Sequence, residues 1–309
     1  MIDIASVSLA QPLETIADEL GRSFGEYGFA VVRDHGIPQD LIDRAEAASK
    51  AFFALPEEVK RRYRIAGNGG ARGYTPFGTE KAKDAEVFDL KEFWHVGRTL
   101  PEGHPLAEYM PPNVWPAEVE GFRETMSALF DAFETAGGRV LEAIALHLGR
   151  PRDFFAASVT DGNSVMRLLH YPPLGESAPE GAVRAAGHED INTITLLLGA
   201  EEAGLELLTK QGKWLPIPAA EGALVINIGD MLDRQTNGRL RSTTHRVVNP
   251  RGDAARRARY SMPFFLHFRP DFLIEPLPEC IEEGAANPPP PPITAHDFLM
   301  QRLREINLA

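Results

Sequence analysis

At 309 residues, with 43% hydrophobic and 25% charged side chains, the chain has enough apolar content to bury a sizeable core without disulfide or metal staples. A metal ion in it would therefore serve function rather than folding. The formal net charge of -12 argues against a phosphate-binding surface, since nucleic-acid readers cluster Lys and Arg, and the densest basic run, Arg251 to Arg259, is short. A single cysteine, Cys280, excludes an intramolecular disulfide or thiolate cluster and makes a reducing compartment, the cytoplasm, the expected location. No basic-flanked apolar leader and no apolar run of membrane-spanning length is found, so neither a membrane nor a nucleic acid is an expected partner.

The first half carries helical periodicity. Leu13, Ile16, Leu20 and Phe24 recur at three- and four-residue steps, as do Leu41, Ala45, Ala48 and Phe52, which puts each set on one helix face. A longer pattern runs from Val119 through Phe122, Met126, Leu129 and Phe133 and resumes at Val140, Leu141, Ile144 and Leu148, with a break or kink expected at Gly137-Gly138. Between these helices Gly67-Asn-Gly-Gly-Ala-Arg-Gly-Tyr-Thr-Pro runs into Asp89-Leu-Lys-Glu-Phe-Trp-His-Val-Gly. Its glycines and proline predict a shaped loop, and it matches neither the P-loop nor the dinucleotide fingerprint.

After about residue 163 the period changes. Ser164-Val-Met-Arg-Leu-Leu-His-Tyr, Asn192-Thr-Ile-Thr-Leu-Leu-Leu, Leu205-Glu-Leu-Leu, Trp214-Leu-Pro-Ile, Ala223-Leu-Val-Ile-Asn-Ile, Thr244-His-Arg-Val-Val and Tyr260-Ser-Met-Pro-Phe-Phe-Leu-His-Phe are short runs bounded by Gly, Pro, Asn and Asp. No helix-length pattern separates most of them, so the expected fold is mainly β with helical additions, an antiparallel sandwich or barrel. Pro288 to Pro292 predict a stiff spacer before a last amphipathic helix carrying Phe298, Leu299, Leu303 and Ile306. The expected organisation is a single domain over 1–309, with a mainly helical region at 1–160, a β catalytic core at 161–275, and the spacer and helix at 276–309.

His188-Glu189-Asp190 precedes a strand, and positions i and i+2 of an extended segment face the same side, where both side chains reach one ion. Alone the pair says little, because a histidine is more often structural than a ligand. His245, in Ser242-Thr-Thr-His-Arg-Val-Val, changes that: enough predicted strand intervenes for the chain to return beside the first pair. Two neutral imidazoles and one carboxylate leave open positions on an octahedral ion, as non-haem iron(II) oxygenases require, whereas no His-Glu-x-x-His zinc motif occurs. Arg259-Tyr260-Ser261 is the only Arg-x-Ser in the chain. In a strand its guanidinium fork and hydroxyl share a face and can grip one carboxylate together.

With Tyr171 in His170-Tyr-Pro-Pro, these residues resemble the iron- and 2-oxoglutarate-dependent dioxygenases of the isopenicillin N synthase-like family. Gly28-Phe-Ala-Val-Val-Arg-Asp-His-Gly-Ile-Pro, Arg72-Gly-Tyr-Thr-Pro and Lys91-Glu-Phe-Trp-His extend the resemblance over roughly residues 1 to 275, in the same order as in the family. It implies a double-stranded β-helix (jelly-roll) core flanked by N-terminal and central helices. It further implies iron(II) on His188, Asp190 and His245, with the distal carboxylate of 2-oxoglutarate on Arg259 and Ser261 and with Tyr171 against the co-substrate. The implied reaction uses dioxygen to oxidise, most commonly to hydroxylate, a small organic substrate, with release of succinate and carbon dioxide. Plant members often carry Asn two residues before the tyrosine; this chain has Leu169.

Other polar and aromatic residues have plainer expected roles. His35, His147 and His267 are expected in packing or local hydrogen bonds, and Phe264, Phe265 and Phe268 divide between core and pocket. His95 and Arg98 lie in a segment resembling the family's substrate side. Two rivals follow from the same residues: an iron oxidase or ring-forming enzyme that uses no 2-oxoglutarate, which succinate release distinguishes, and a non-catalytic cupin-like metal binder, for which the Arg259-Ser261 clamp has no use. The identity of the substrate and the oligomeric state are not encoded in any of these motifs.

Overall fold

The computed structural model describes residues 4–67, 70–80, 88–174, 183–198, 204–217, 222–250, 252–281 and 288–305. Asn68, Gly69, Arg251 and Ile306, named above, lie outside the described residues.

The expected N-terminal helices form. After the short strand β1 (Ser6–Ser8), α1 (Leu13–Tyr27) buries Leu13, Ile16, Leu20 and Phe24 along one stripe. It ends at Gly28, whose φ of 71° gives the left-handed cap in which its N–H donates to the Phe24 carbonyl, and β2 (Phe29–Arg33) starts at once. α2 (Gln39–Phe53) begins directly after Pro38 and buries Leu41, Ala45 and Phe52, and α3 (Glu57–Lys60) is a single turn.

The stretch expected to be a shaped loop contains two strands, β3 (Gly73–Thr75) and β4 (Glu92–Gly97). Every residue of β4 is buried, so it lacks the apolar–polar alternation that reveals a half-exposed strand. α4 (Phe122–His147) runs through Gly137-Gly138 without the break that these glycines allow. A Cβ on Gly137 would fall 2.5 Å from Leu266 Cδ1, so this glycine permits close approach of the helix to the sheet.

The single turn α5 (Ala156–Val159) leads into the strand-rich half. It holds β5 (Val165–Tyr171), β6 (Ala185–His188), β7 (Ile194–Leu198), β8 (Leu205–Leu208), β9 (Trp214–Pro216), β10 (Leu224–Ile228), β11 (His245–Val247) and β12 (Arg259–Leu266). All seven runs read from the sequence are present, and β6 is added to them. Helix α6 (Asp230–Gln235) joins β10 to β11. The two-residue strands β13 (Leu273–Ile274) and β14 (Ile293–Thr294) pair ahead of α7 (Ala295–Glu305), the helix expected after the prolines.

Two sheets make a jelly roll. The large one has the order β1-β2-β10-β7-β12-β5-β4-β3, antiparallel except between β1 and β2; the small one has the order β6-β11-β8-β9. Four of the eight strands in the large sheet come from the N-terminal half, which helical periodicity alone does not show. α4 covers one face of this sheet, where Phe133 stacks on Phe264 with ring centroids 5.1 Å apart. The other face looks toward the small sheet. Strand alternation on β12 therefore sends Arg259, Ser261, Pro263 and Phe265 into the space between the sheets, while Phe264 and Leu266 join the main hydrophobic core.

Candidate active site

Between the sheets one cavity collects His188 at the end of β6, Asp190 in the following connection and His245 at the start of β11. The two histidines are direct cross-strand partners. One ligand atom from each of the three residues lies within 4.8 Å of the other two, with His188 Nε2 3.9 Å from Asp190 Oδ1 and His245 Nε2 3.8 Å from Asp190 Oδ2. Both Nδ1 atoms face carbonyl oxygens two residues back, at 2.8 Å to Ala186 and 3.1 Å to Thr243. A carbonyl accepts only from Nδ1–H, so in the neutral form of each ring the lone pair sits on Nε2 and turns toward Asp190.

The carboxylate is held as firmly. Asp190 Oδ2 accepts hydrogen bonds from Thr195 Oγ1 at 2.5 Å and Asn227 Nδ2 at 2.8 Å, both reaching in from the large sheet. Burial alone raises the Asp190 carboxyl pKa; His245, His188 and these two hydrogen bonds outweigh it and hold the group below its ordinary value. Two nitrogen donors and one carboxylate, set on one cavity with their tautomers fixed, fit a divalent first-row metal that keeps positions open for other ligands.

Residues 1–118 match the family described as the N-terminal region of non-haem dioxygenases in morphine synthesis, and residues 162–268 match the 2OG-Fe(II) oxygenase superfamily. A 2-oxoglutarate-Fe(II) type oxidoreductase, hxnY of Emericella nidulans, is 36% identical over 283 residues, which covers 88% of this chain and 79% of the relative. The chain belongs to the 2OG-Fe(II) oxygenase superfamily. Its fold agrees with that of a 2OG-Fe(II) oxygenase family protein from Caulobacter crescentus, with a TM-score of 0.90, 53% identity and coverage of 99% of this chain and 100% of that one. A full-length protein of Neurospora crassa, solved in complex with alpha-KG (2-oxoglutarate), gives a TM-score of 0.87 at 29% identity, with 97% and 95% covered. The protein is thus an iron(II)- and 2-oxoglutarate-dependent oxygenase, and neither rival reading stands.

The same cavity of the oxygenase contains Arg259 and Ser261, the pair expected to grip a carboxylate. Arg259 and Ser261 are 4% and 6% exposed, with Arg259 Nη1 3.3 Å from Ser261 Oγ. The Arg259 guanidinium lies 5.1 Å from the ring centre of Tyr171, its cross-strand partner, and its buried Nε has no hydrogen-bond partner among the described residues. A buried donor left unpaired is costly, so this atom fits a carboxylate ligand such as that of 2-oxoglutarate. Leu169 also lines the cavity.

Several cavity residues escaped the sequence reading. Asn227 and Thr195 support Asp190, and Arg167 and Lys91 line a further wall. Asn227 and Arg167 had a readable signal, each being a polar residue inside an apolar strand run that needs a buried partner. Phe265 lines the cavity, while Phe264 and Phe268 belong to the core. His95 sits in β4 and backs Arg167, whereas Arg98 donates to the Gly162 carbonyl and pairs with Glu134 and is absent from the described cavity lining. His35 Nδ1 accepts from the Ile37 N–H, His147 meets Asp18 and His267 is buried, as their plainer roles imply. Cys280 is buried and free, and no helix among the described residues is long and apolar enough to cross a membrane.

Proposed function

We propose that His188, Asp190 and His245 hold the iron(II), that Arg259 and Ser261 grip the distal carboxylate of 2-oxoglutarate, and that Tyr171 packs against the same co-substrate. One arrangement supports this reading above all. Three convergent ligand atoms share a cavity with a buried guanidinium whose Nε is unpaired among the described residues. Iron(II) with 2-oxoglutarate and dioxygen supplies the oxidising power that yields succinate and carbon dioxide and oxidises a substrate C–H bond, in this reading by hydroxylation.

The side chains have separable tasks. Thr195 and Asn227 fix the Asp190 carboxylate, the carbonyls of Ala186 and Thr243 fix the imidazole tautomers, and the facing sheets keep bulk water from the reacting atoms. Strands from 1–160 complete the sheet that carries these residues, which supports treating 1–309 as one functional domain with the 161–275 core and the 276–309 helix. A buried free thiol and the absence of a spanning helix among the described residues support a cytoplasmic enzyme.

Iron titration and succinate release test the site. The parent is expected to bind about one iron(II) per chain anaerobically, and Asp190→Ala to lose both iron and turnover. Retention of iron and activity by Asp190→Ala would overturn the ligand assignment. The Neurospora crassa protein has also been solved with thymine and with 5-formyluracil, so heterocycles of that kind open the substrate screen.

A further inference from the structure

The cavity extends well beyond the clamp. On β5 the side chains of Arg167, Leu169 and Tyr171 all enter it, and Tyr171 is the cross-strand partner of Arg259. Arg167 stands four residues along the strand, about 13 Å from Tyr171. A five-carbon diacid held at Arg259 does not span that distance, so Arg167, with Phe265 nearby, lines a separate end of the chamber.

Arg167 is held in a fixed orientation. Its Nε–H donates to His95 Nε2 at 2.6 Å, which requires an imidazole protonated on Nδ1, the nitrogen that faces the Gly70 carbonyl. Nη1 donates to both oxygens of Glu80 at 3.2 and 3.3 Å, and the guanidinium carbon lies 4.2 Å from the ring centre of Phe93. Three sides of the group are thereby occupied. Nη2 makes no hydrogen bond among the described residues and is not sealed from the cavity, so one amino group, with its two N–H, is left for a ligand.

Both cations that line this wall are already paired. Lys91 pairs with Asp89 at 2.8 Å and with Glu80 at 3.4 Å, and Arg167 shares Glu80, so two cations face two carboxylates. At the metal end, Asp190 and Arg259 with iron(II) and a doubly charged 2-oxoglutarate also sum to zero. An anionic substrate would enter this buried chamber beside Asp89 and Glu80, whose partners Lys91 and Arg167 are already paired, whereas a neutral carbonyl needs only an N–H of Nη2.

The geometry points to a primary substrate that is uncharged and carries an amide, lactam or ureide carbonyl, which accepts a hydrogen bond from Arg167 Nη2; His95 and Glu80 act as positioning residues for that donor. This inference rests on the proposed iron and 2-oxoglutarate site. The test uses the anaerobic protein loaded with iron(II) and 2-oxoglutarate, whose metal-to-ligand absorption band reports the reading beneath it: no band in the parent overturns the site assignment, independently of substrate class. Matched pairs are then added at millimolar concentration: thymine against orotate, nicotinamide against nicotinate, and 2-pyrrolidinone against pyroglutamate. Uncharged members are expected to perturb the band, and those that stimulate succinate release to show a KM raised at least roughly tenfold in Arg167→Met, with iron and 2-oxoglutarate affinities within about twofold of the parent. Arg167→Lys is expected to restore little, because an ammonium cannot reproduce the fork. Band changes caused only by the carboxylates, no band change with any neutral member, or an unaltered KM in an Arg167→Met protein that still forms the band would each overturn the inference.

Discussion

Arg259 is the residue at which a single atom makes the sharpest test. Truncating one member of a buried, hydrogen-bonded charge pair typically costs about 2–5 kcal/mol, so Arg259→Ala should lower 2-oxoglutarate affinity by roughly thirty- to several-thousand-fold and leave iron binding nearly intact. Ser261→Ala should cost less, about 1 kcal/mol, because only a neutral hydroxyl contact is lost. Anaerobic titration followed by the metal-to-ligand band measures the order, and equal affinity in Arg259→Ala and the parent would assign the arginine to another ligand. His267 offers a test of pH dependence. Burial, moderated by Asp190 and opposed to protonation also by Arg72, lowers its pKa to about 4. The unfolded chain then binds a proton that the folded chain refuses, so the group's stabilisation is complete above the ordinary imidazole value and is lost as pH falls from about 6.5 toward 4. The span corresponds to roughly 3 kcal/mol, by which the stability difference between the metal-free parent and His267→Asn should change between pH 7.5 and 4. Asp230, raised to about 6 chiefly by burial, works in the opposite direction in both proteins and cancels in that comparison. Denaturant midpoints across this range decide it, and a pH-independent difference would show that His267 does not titrate between the two states. At this scale the sequence was most readable where chemistry restricts residue choice: His188, Asp190, His245 and the Arg259-Ser261 pair. Lys91, Glu80 and Thr195 were not readable, because ordinary polar residues acquire their meaning only from neighbours that the fold supplies.

Among the secondary elements, α7 has an effect out of proportion to its length. Arg302 reaches Asp230 Oδ2 at 3.0 Å and Glu189 Oε2 at 3.8 Å. Glu189 stands between His188 and Asp190 and accepts from Thr244 Oγ1 at 2.9 Å, and the Asp230 N–H donates to the Asp190 carbonyl at 2.8 Å. One arginine on the last helix therefore braces backbone beside each of the three converging residues. Its partners are partly exposed, so Arg302→Ala should weaken iron retention by about 1 kcal/mol, near fivefold, while Arg302→Lys keeps part of that. Chelator competition measures the change; retention identical to the parent would make α7 a passive cover. The amphipathic pattern made α7 readable as a helix, but no spacing rule could tell where it docks. The same reasoning separates β5 and β12, whose apolar runs were visible, from β4, which is buried on both faces, and from β6, where Ala185-Ala-Gly-His offers no alternation.

For the whole molecule, the proposed metal site draws on both sheets. His188 and His245 belong to the small sheet, while the residues that hold Asp190, together with Arg259 and Ser261, belong to the large one. A bound divalent metal is thus expected to stabilise the fold as a unit: at a hundredfold excess over its Kd the gain is about 2.7 kcal/mol, near 5 °C in thermal midpoint. 2-Oxoglutarate should add to the midpoint only when metal is present, and Asp190→Ala should respond to neither; an equal metal response in Asp190→Ala would place the stabilising ion elsewhere. The jelly roll itself was readable from strand spacing and the resemblance, but the share of the N-terminal half in the large sheet was not, because β1 to β4 are short or uniformly buried. That share also constrains the birth of the protein. β2, at residues 29–33, pairs with β1 on one edge and with β10, at residues 224–228, on the other, so on the ribosome that second, inner edge waits for most of the chain to emerge. Asn227, which orients Asp190, lies in that same late strand. Metal capture in its final geometry is therefore confined to the closing stage of synthesis, and a nascent chain stalled before β10 offers His188 and Asp190 to passing ions without the support or the second histidine that would retain them.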